Sequence, residues 1–142
     1  MMDVIQNNFS VSLNSSVKMA KSLAHSDNHS TYGVAHLALP LLLEQTGLEG
    51  ILKSLNKDVA YITDGFEMRK EIYQSAHIVD KEIYPDDEVT KVFDESERSK
   101  LKLGTDFIDA TCIFTAIVRQ GVVYNNQQLE TLGISEKEIL KL

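Results

Sequence analysis

Apolar residues recur at three- and four-residue spacings along most of the chain, which is the spacing of a helix that buries one face. The first such stretch starts after Ser10, a residue type that caps helix N-termini. Its apolar positions are Leu13, Val17, Ala20, Leu23 and Ala24. A second stretch, residues 34–45, is apolar nearly all round and predicts a central, buried helix. Pro40 lies inside it, where a proline removes a backbone hydrogen bond and predicts a kink or a late helix start.

Capping residues and helix stops divide the rest of the chain into further helices. Asn56 suits a left-handed helix end, and Asp58 and Asp109 suit helix starts. Ser135 and Glu138 match a capping box, in which the two side chains satisfy backbone N–H groups. Four of the further helices are predicted at residues 48–55, at 59 to about 79 or 83, at 110–119 and at 126–132. Two more begin at about residue 89 and after residue 135. The sequence thus predicts an all-α protein of about eight helices.

The second half of the chain repeats the order of polar, apolar and helix-stopping positions of the first half. His36 falls on Cys112, 76 positions later, and residues 52–58 fall on 129–135 at an offset of 77. This pattern predicts one domain, 1–142, made of two tandem, pseudo-symmetric four-helix repeats. Repeat one covers about 10–80, a join covers about 81–88 and repeat two covers about 89–142. A seam between two such repeats is a place where a partner can bind.

Composition and charge narrow the class of partner. The 142 residues carry a formal net charge of −7 and no basic tract, which argues against nucleic acid or an anionic membrane as a partner. The single cysteine, Cys112, excludes an internal disulfide and fits a reducing compartment. Residues 1–8 do not resemble a signal peptide, and the most apolar stretch, 34–43, is too short to span a bilayer. We therefore expect a cytoplasmic protein.

Searches for catalytic motifs find none. Lys53-Ser54 is the closest approach to a phosphate-binding loop, but Gly47 and Gly50 lie at the wrong spacings. The sequence contains neither a Gly-x-Ser-x-Gly elbow nor a His-Glu-x-x-His motif. We therefore predict that this chain is not an enzyme, has no catalytic residues and binds no cofactor.

The histidines do not predict a metal site. His25 and His29 are interpreted as exposed residues of a polar loop, since there is no second cluster of ligands. His36 lies on an apolar helix and is interpreted as a buried histidine hydrogen-bonded to the backbone, and Cys112 as a small buried hydrophobic residue. The acidic run 80–88 is interpreted as a solvated surface, with attraction of a basic partner segment as the alternative.

Several motifs occur in an order that resembles one protein family. They are Phe9-Ser10, Ala20-x-x-Leu23-Ala24, the run His29-x-x-Tyr32-Gly33-Val34-Ala35-His36-Leu37 with its apolar continuation to Leu42, Leu52-x-x-Leu55-Asn56-Lys57-Asp58, and Leu129-x-x-Leu132-Gly133-Ile134-Ser135. Their order and duplication resemble the N-terminal domain of Clp-type AAA+ unfoldases, which include ClpA, ClpB, ClpC and the type VI secretion ATPase ClpV. The chain departs from the family at Val34-Ala35, where the family has Thr-Glu, and at Pro40 and Cys112. It resembles a divergent member.

The resemblance implies a non-catalytic module that binds unfolded segments, adaptor proteins or a helix of a target assembly. ATP and Mg²⁺ would belong to ATPase domains outside this chain. The isolated domain is expected to be a monomer and the full-length protein a hexamer. The resemblance places the binding surface beside the first helix, with Phe9, Ser10, Leu13 and Val17 as candidates, although Leu13 and Val17 are alternatively plain core. Two other functions stay open: the N-domain of a ClpV-like ATPase that recycles the type VI secretion sheath, and a free-standing adaptor or inhibitor without an ATPase.

Overall fold

The computed structural model describes residues 8–73, 82–123 and 132–141. Seven α-helices lie in these ranges, with a 3₁₀ turn at Glu44–Thr46 and two short strands. The helices are α1 (Val11–Ser26), α2 (Val34–Leu41), α3 (Leu48–Ser54), α4 (Val59–Glu71), α5 (Asp87–Leu103), α6 (Ala110–Val118) and α7 (Glu136–Leu140). The strands are β1 (Thr31–Tyr32) and β2 (Tyr84–Pro85). The prediction of an all-α fold is confirmed, since the strands have only two residues each.

Two apolar helices form the centre of the fold. Helix α2 and helix α6 are buried along almost their whole length. Helix α1 packs against α2, α5 packs in the same way against α6, and α2 also contacts α6. The buried side chains form one continuous core that contains residues from both halves of the chain. None of the described helices combines the length and the apolar character that crossing a membrane requires.

Polar side chains start the helices where the sequence indicates. Ser10 Oγ accepts a hydrogen bond from the N–H of Leu13 at 3.1 Å, and Asp58 and Asp109 cap α4 and α6 in the same way. Asn56 adopts the predicted left-handed conformation, with φ of 61°. Ser135 and Glu138 form the predicted capping box at the start of α7. These local interactions stabilise each helix start by about 1 kcal/mol.

The helical periodicity does not predict the two strands. They pair in parallel, Thr31 with Tyr84 and Tyr32 with Pro85, and a separate parallel bridge joins Phe9 to Ile108. Each extended segment immediately precedes a helix and is too short to show the alternation that identifies a strand. The bridges nevertheless follow the repeat, since Phe9 and Pro85 are 76 positions apart, as are Tyr32 and Ile108.

Several helix boundaries differ from the predictions. Helix α2 ends at Leu41 instead of residue 45, and the N–H groups of Leu42 and Leu43 bond to carbonyls three residues back. The helix starts at Val34 and contains Pro40 in its last turn, so the alternative of a late helix start is wrong. Helix α4 ends at Glu71, α5 begins at Asp87, inside the predicted join, and α6 ends at Val118.

Parts of the predicted organisation lie outside the described residues. The helix predicted at 126–132 falls on residues that the structure does not describe, apart from Leu132, which lies in a turn. The continuation predicted for the fourth helix falls partly on 74–81, which the structure also leaves undescribed. The boundaries of the two repeats, 10–80 and 89–142, therefore stay a prediction.

Candidate functional site

A small groove opens at the start of α1, where the two halves of the chain meet. It has a volume of about 190 Å³. We call it the Phe9 groove, and it is lined by Asn8, Phe9, Pro85, Thr90, Phe93, Asp94, Glu97 and Ile108. An apolar cavity of about 150 Å³ holds a benzene molecule. The Phe9 groove is therefore large enough for one apolar side chain of a partner but small for a cofactor, since ligand pockets usually measure about 300–1,000 Å³.

Backbone hydrogen bonds and ring packing fix the floor of the Phe9 groove. The N–H of Ile108 donates to the carbonyl of Asn8 at 2.8 Å, and the N–H of Ser10 donates to the carbonyl of Ile108 at 2.8 Å. The rings of Phe9 and Phe93 meet edge to face, with centroids 5.2 Å apart. Residues from both halves thus hold the floor in place, so the groove exists only when the halves are joined.

Of the four candidate residues, Phe9 lines the Phe9 groove and the other three do not. Ser10 lies next to it and uses its hydroxyl to cap α1. Leu13 and Val17 are buried on the face of α1 that packs into the core. Their helical spacing correctly indicates a buried face, but spacing alone does not distinguish a core contact from a binding contact.

Sequence reasoning missed the groove residues that come from the second half, which are Pro85, Thr90, Phe93, Asp94, Glu97 and Ile108. The 76-residue offset of the internal repeat gives partial information about where these residues lie. It pairs Ser10 with Asp86, and both residues cap a helix. Placing Pro85 and α5 beside Phe9 additionally requires knowing that the repeats associate through these segments, which a single sequence does not reveal.

A second groove lies along α1, away from its N-terminus. It has a volume of about 470 Å³, and we call it the Met19 groove. It is lined by Lys18, Met19, Ser22, Leu23, Ser26, Leu39, Pro40, Leu43 and Glu67. Met19 and Leu43 expose apolar surface here. All of its residues belong to the first half, so it does not depend on the seam.

Exposed apolar residues accompany the Phe9 groove. Val11, Tyr84 and Phe107 are all exposed, and their chain neighbours Ser10, Pro85 and Ile108 form the start of α1 and part of the groove. These three side chains add exposed apolar surface to segments that meet at the seam. The seam therefore combines a preformed groove with apolar surface in the neighbouring segments.

His29, His36 and Tyr73 form a ring cluster beneath the start of α2. His29 is buried, with its ring 5.1 Å from that of His36 and 5.9 Å from that of Tyr73, so the interpretation of His29 as an exposed loop residue is wrong. Tertiary packing of Tyr73 over the loop causes this burial. His25 is exposed as expected but lies in the last turn of α1 instead of the loop.

His36 is held by the backbone, as predicted. The N–H of Gly33 donates to His36 Nδ1 at 2.9 Å. Burial and the neighbouring His29 lower the pKa of His36 to about 4, so the ring is neutral at pH 7. A neutral ring whose Nδ1 accepts a hydrogen bond carries its proton on Nε2.

The tautomer of His36 decides whether these residues suit a metal. Asp27, His29 and His36 each offer a ligand atom, and these atoms lie within 4.8 Å of one another. Metal binding through His36 Nε2 requires a lone pair there, but this nitrogen holds the proton. The residues therefore do not fit a metal ion in this arrangement, and the absence of a metal site stays a prediction.

Cys112 is buried within α6, in agreement with its interpretation as a small hydrophobic residue. Its sulfur lies 3.4 Å from Thr105 Oγ1. Burial raises the pKa of the Cys112 thiol, which disfavours the thiolate that a nucleophile needs.

Comparisons with known proteins agree with the architecture. A family model described as the Clp repeat (R) N-terminal domain matches residues 8–132. No curated protein sequence matches the chain. The N-domain of ClpV from Vibrio cholerae is 16% identical with a TM-score of 0.78, covering 97% of this chain and 84% of that chain. The Hsp104 N-terminal domain from Candida albicans is 14% identical with a TM-score of 0.76, covering 94% and 87%.

A third solved structure is a complex of a ClpV N-domain with a VipB peptide. That ClpV chain is 16% identical with a TM-score of 0.75, and the match covers 99% of this chain and 92% of that chain. At such low identities the similarity establishes the fold alone. The family match extends over most of the sequence, and the chain belongs to the Clp repeat N-terminal domain family.

Proposed function

We propose that this chain is the non-catalytic recognition domain of a Clp-type AAA+ ATPase, and that it holds an apolar segment of a substrate or adaptor protein in the Phe9 groove. The observation that carries the proposal is the preformed apolar groove at the seam, built from Phe9, Phe93 and Ile108. The sequence has no catalytic motif, which favours binding over chemistry. A related ClpV N-domain has been solved with a peptide, which favours a peptide as the ligand.

The size of the Phe9 groove sets the expected affinity. Burying one apolar side chain contributes about 1.5–3 kcal/mol. Micromolar binding corresponds to about −8 kcal/mol, so the partner segment must also contact the surface around the groove. Tethering the domain to an ATPase would raise the local concentration of substrate and make such modest affinity sufficient.

In this proposal, the ATPase domains lie elsewhere in the protein and bind ATP and Mg²⁺. The full-length protein is a hexamer that acts in the cytoplasm, and the isolated domain is a monomer. A ClpV-like ATPase that recycles the type VI secretion sheath is a second candidate, favoured by the ClpV N-domains among the similar structures. A free-standing adaptor without an ATPase is the remaining alternative, and the reading frame beyond residue 142 distinguishes it.

The test fills one groove at a time. Thr90→Tyr places a ring in the Phe9 groove, Ser22→Tyr places one in the Met19 groove, and Leu101→Tyr is a control on an exposed position of α5 that lines neither. All three substitutions leave the charge unchanged. A fluorescently labelled, permanently unfolded protein is titrated with each variant, and circular dichroism checks that the helices are intact.

We expect Thr90→Tyr to weaken binding about tenfold, which corresponds to about 1.4 kcal/mol. Ser22→Tyr and Leu101→Tyr should bind like the wild type. If Ser22→Tyr alone weakens binding, the partner binds in the Met19 groove instead of the Phe9 groove. Absence of binding by the wild-type protein would contradict the proposed function as a whole.

A further inference from the structure

The open side of the Phe9 groove carries negative charge. Asp94 and Glu97 lie one helical turn apart on α5, both are exposed, and both line the groove. No Lys or Arg is among the described residues that line it. Glu97 Oε1 accepts a hydrogen bond from the Asn8 side-chain amide at 3.3 Å, which leaves the carboxylate charge uncompensated.

Two arginines of the neighbouring surface face a different carboxylate. Arg119 pairs with Glu95 at 2.9 Å, and Arg98 lies 4.0 Å from the same carboxylate. Glu95 does not line the Phe9 groove. Within the described parts of the chain, the Asp94 carboxylate takes part in none of the ion pairs or side-chain hydrogen bonds. The two charges at the groove are thus available to a partner.

The internal repeat shows that helix packing does not require these carboxylates. The positions 76 residues earlier, on α1, are Lys18 and Lys21. Val17 on α1 and Phe93 on α5 occupy equivalent positions and are both buried, so the two helices pack through the same face. The exposed face next to it carries lysines on α1 and carboxylates on α5, so the packing accepts either sign of charge. The negative charge at Asp94 and Glu97 is a property of this groove and not of the fold.

We propose that the Phe9 groove selects partner segments in which an apolar side chain lies within one helical turn of Lys or Arg. This inference rests on the proposed function and names its class of partner. The Cβ atoms at i and i+3 of a helix are about 5–6 Å apart, and basic side chains on a partner helix can have the same spacing. An arginine can in addition form two parallel hydrogen bonds to one carboxylate.

The test uses three labelled synthetic helical peptides with the same apolar residues. The residues that flank the apolar anchor are lysines in one peptide, glutamines in the second and glutamates in the third. Wild-type protein is compared with Asp94→Asn/Glu97→Gln, which removes both charges and keeps the side-chain shapes. The matched control is Asp64→Asn/Glu71→Gln, which removes two exposed carboxylates from α4 that do not line the groove.

We expect the wild-type protein and the α4 control to bind the lysine peptide about fivefold more tightly than the glutamine peptide, and the glutamate peptide least. Exposed ion pairs are weak because solvent screens them, so the preference should be no larger than this. The preference should disappear in Asp94→Asn/Glu97→Gln and at about 0.5 M salt, where charges are screened. Asp94→Lys/Glu97→Lys should reverse the preference, and Lys18 and Lys21 show that lysines suit this helix face.

The outcomes separate this inference from the proposed function. Equal binding of all three peptides, still weakened by Thr90→Tyr, would overturn the charge preference and leave the groove in place. A lysine preference that survives Asp94→Asn/Glu97→Gln would also overturn it, because the selecting charges would lie elsewhere. Binding that Thr90→Tyr does not weaken would refute the groove itself.

Discussion

The backbone N–H of Ser10 donates a hydrogen bond to the carbonyl oxygen of Ile108 at 2.8 Å. This bond joins the N-cap residue of α1 to the segment that precedes α6. The equivalent bond in the other half runs from the N–H of Asp86 to the carbonyl of Tyr32 at 3.0 Å. In both bonds the N-cap residue of one half's first helix is bonded to the extended segment that precedes the other half's second helix. The Phe9 groove lies at the first of these junctions, so its shape depends on both halves.

The equivalence of Ser10 and Asp86 leads to a prediction about stability. Asp86 Oδ1 accepts a hydrogen bond from the N–H of Val89 at 2.8 Å and caps α5. Replacing it with alanine leaves that N–H unsatisfied and should lower the free energy of unfolding by about 1 kcal/mol. Asp86→Ser should retain most of the stability, because Ser10 caps α1 in the same position. Urea denaturation of the three proteins measures this, and equal losses for alanine and serine would refute the capping role.

Local features of the fold were predictable from the sequence, since they depend on residues close together in the chain. The caps at Asp58, Asp109 and Ser135 and the left-handed Asn56 are examples. The burial of His29 was not predictable, because Tyr73, 44 positions later, covers it.

The candidate site was predictable only in part. Phe9 lines the groove, and its role in binding stays a prediction, whereas Phe93, Asp94 and Ile108 come from a different half of the chain. Helical spacing predicts that Val17 is buried, but it does not show whether the residues that cover Val17 belong to the core of this chain or to a bound partner. The strand pairing that assembles the groove involves two-residue segments, which show no periodicity of their own.

The environment of His36 predicts a dependence of stability on pH. Its pKa in the folded protein is about 4, below the value of 6.5 for an unperturbed histidine. The unfolded chain therefore binds a proton first as the pH falls, and this contribution to stability is lost between about pH 6.5 and 4. The loss should be on the order of 2 kcal/mol. His36→Gln removes the titration, while the glutamine carbonyl at this position can still accept the N–H of Gly33.

The measurement is urea denaturation of the wild type and His36→Gln at about pH 7.5 and 4.5. Since exposed carboxylates also titrate in this range, the quantity to compare is the difference between the two proteins. The wild type should lose more stability than His36→Gln on acidification. Equal losses would show that His36 is not the group responsible.

The burial of Cys112 predicts an unreactive thiol. Burial raises its pKa, and the side chain is enclosed within α6. A thiol reagent such as a disulfide dye should therefore modify the native protein more slowly than the urea-unfolded protein, by on the order of a hundredfold or more, since modification requires local opening. Release of the dye, followed by absorbance, measures both rates. Rapid stoichiometric reaction of the native protein would contradict the buried, protonated thiol.

The contact between Phe66 and Phe114 predicts how strongly α4 and α6 depend on each other. The two rings are fully buried, with centroids 6.4 Å apart and planes inclined at 70°. Phe66→Ala should lower the free energy of unfolding by about 3–5 kcal/mol, because it removes buried apolar surface and leaves a cavity. Phe107→Ala should change it by less than about 0.5 kcal/mol, because Phe107 is 55% exposed.

A double-mutant cycle with Phe114→Leu should give a coupling energy of about 0.5–1.5 kcal/mol between the rings. Additive effects in that cycle would mean that each ring packs independently into the core, and that the pair does not link α4 to α6.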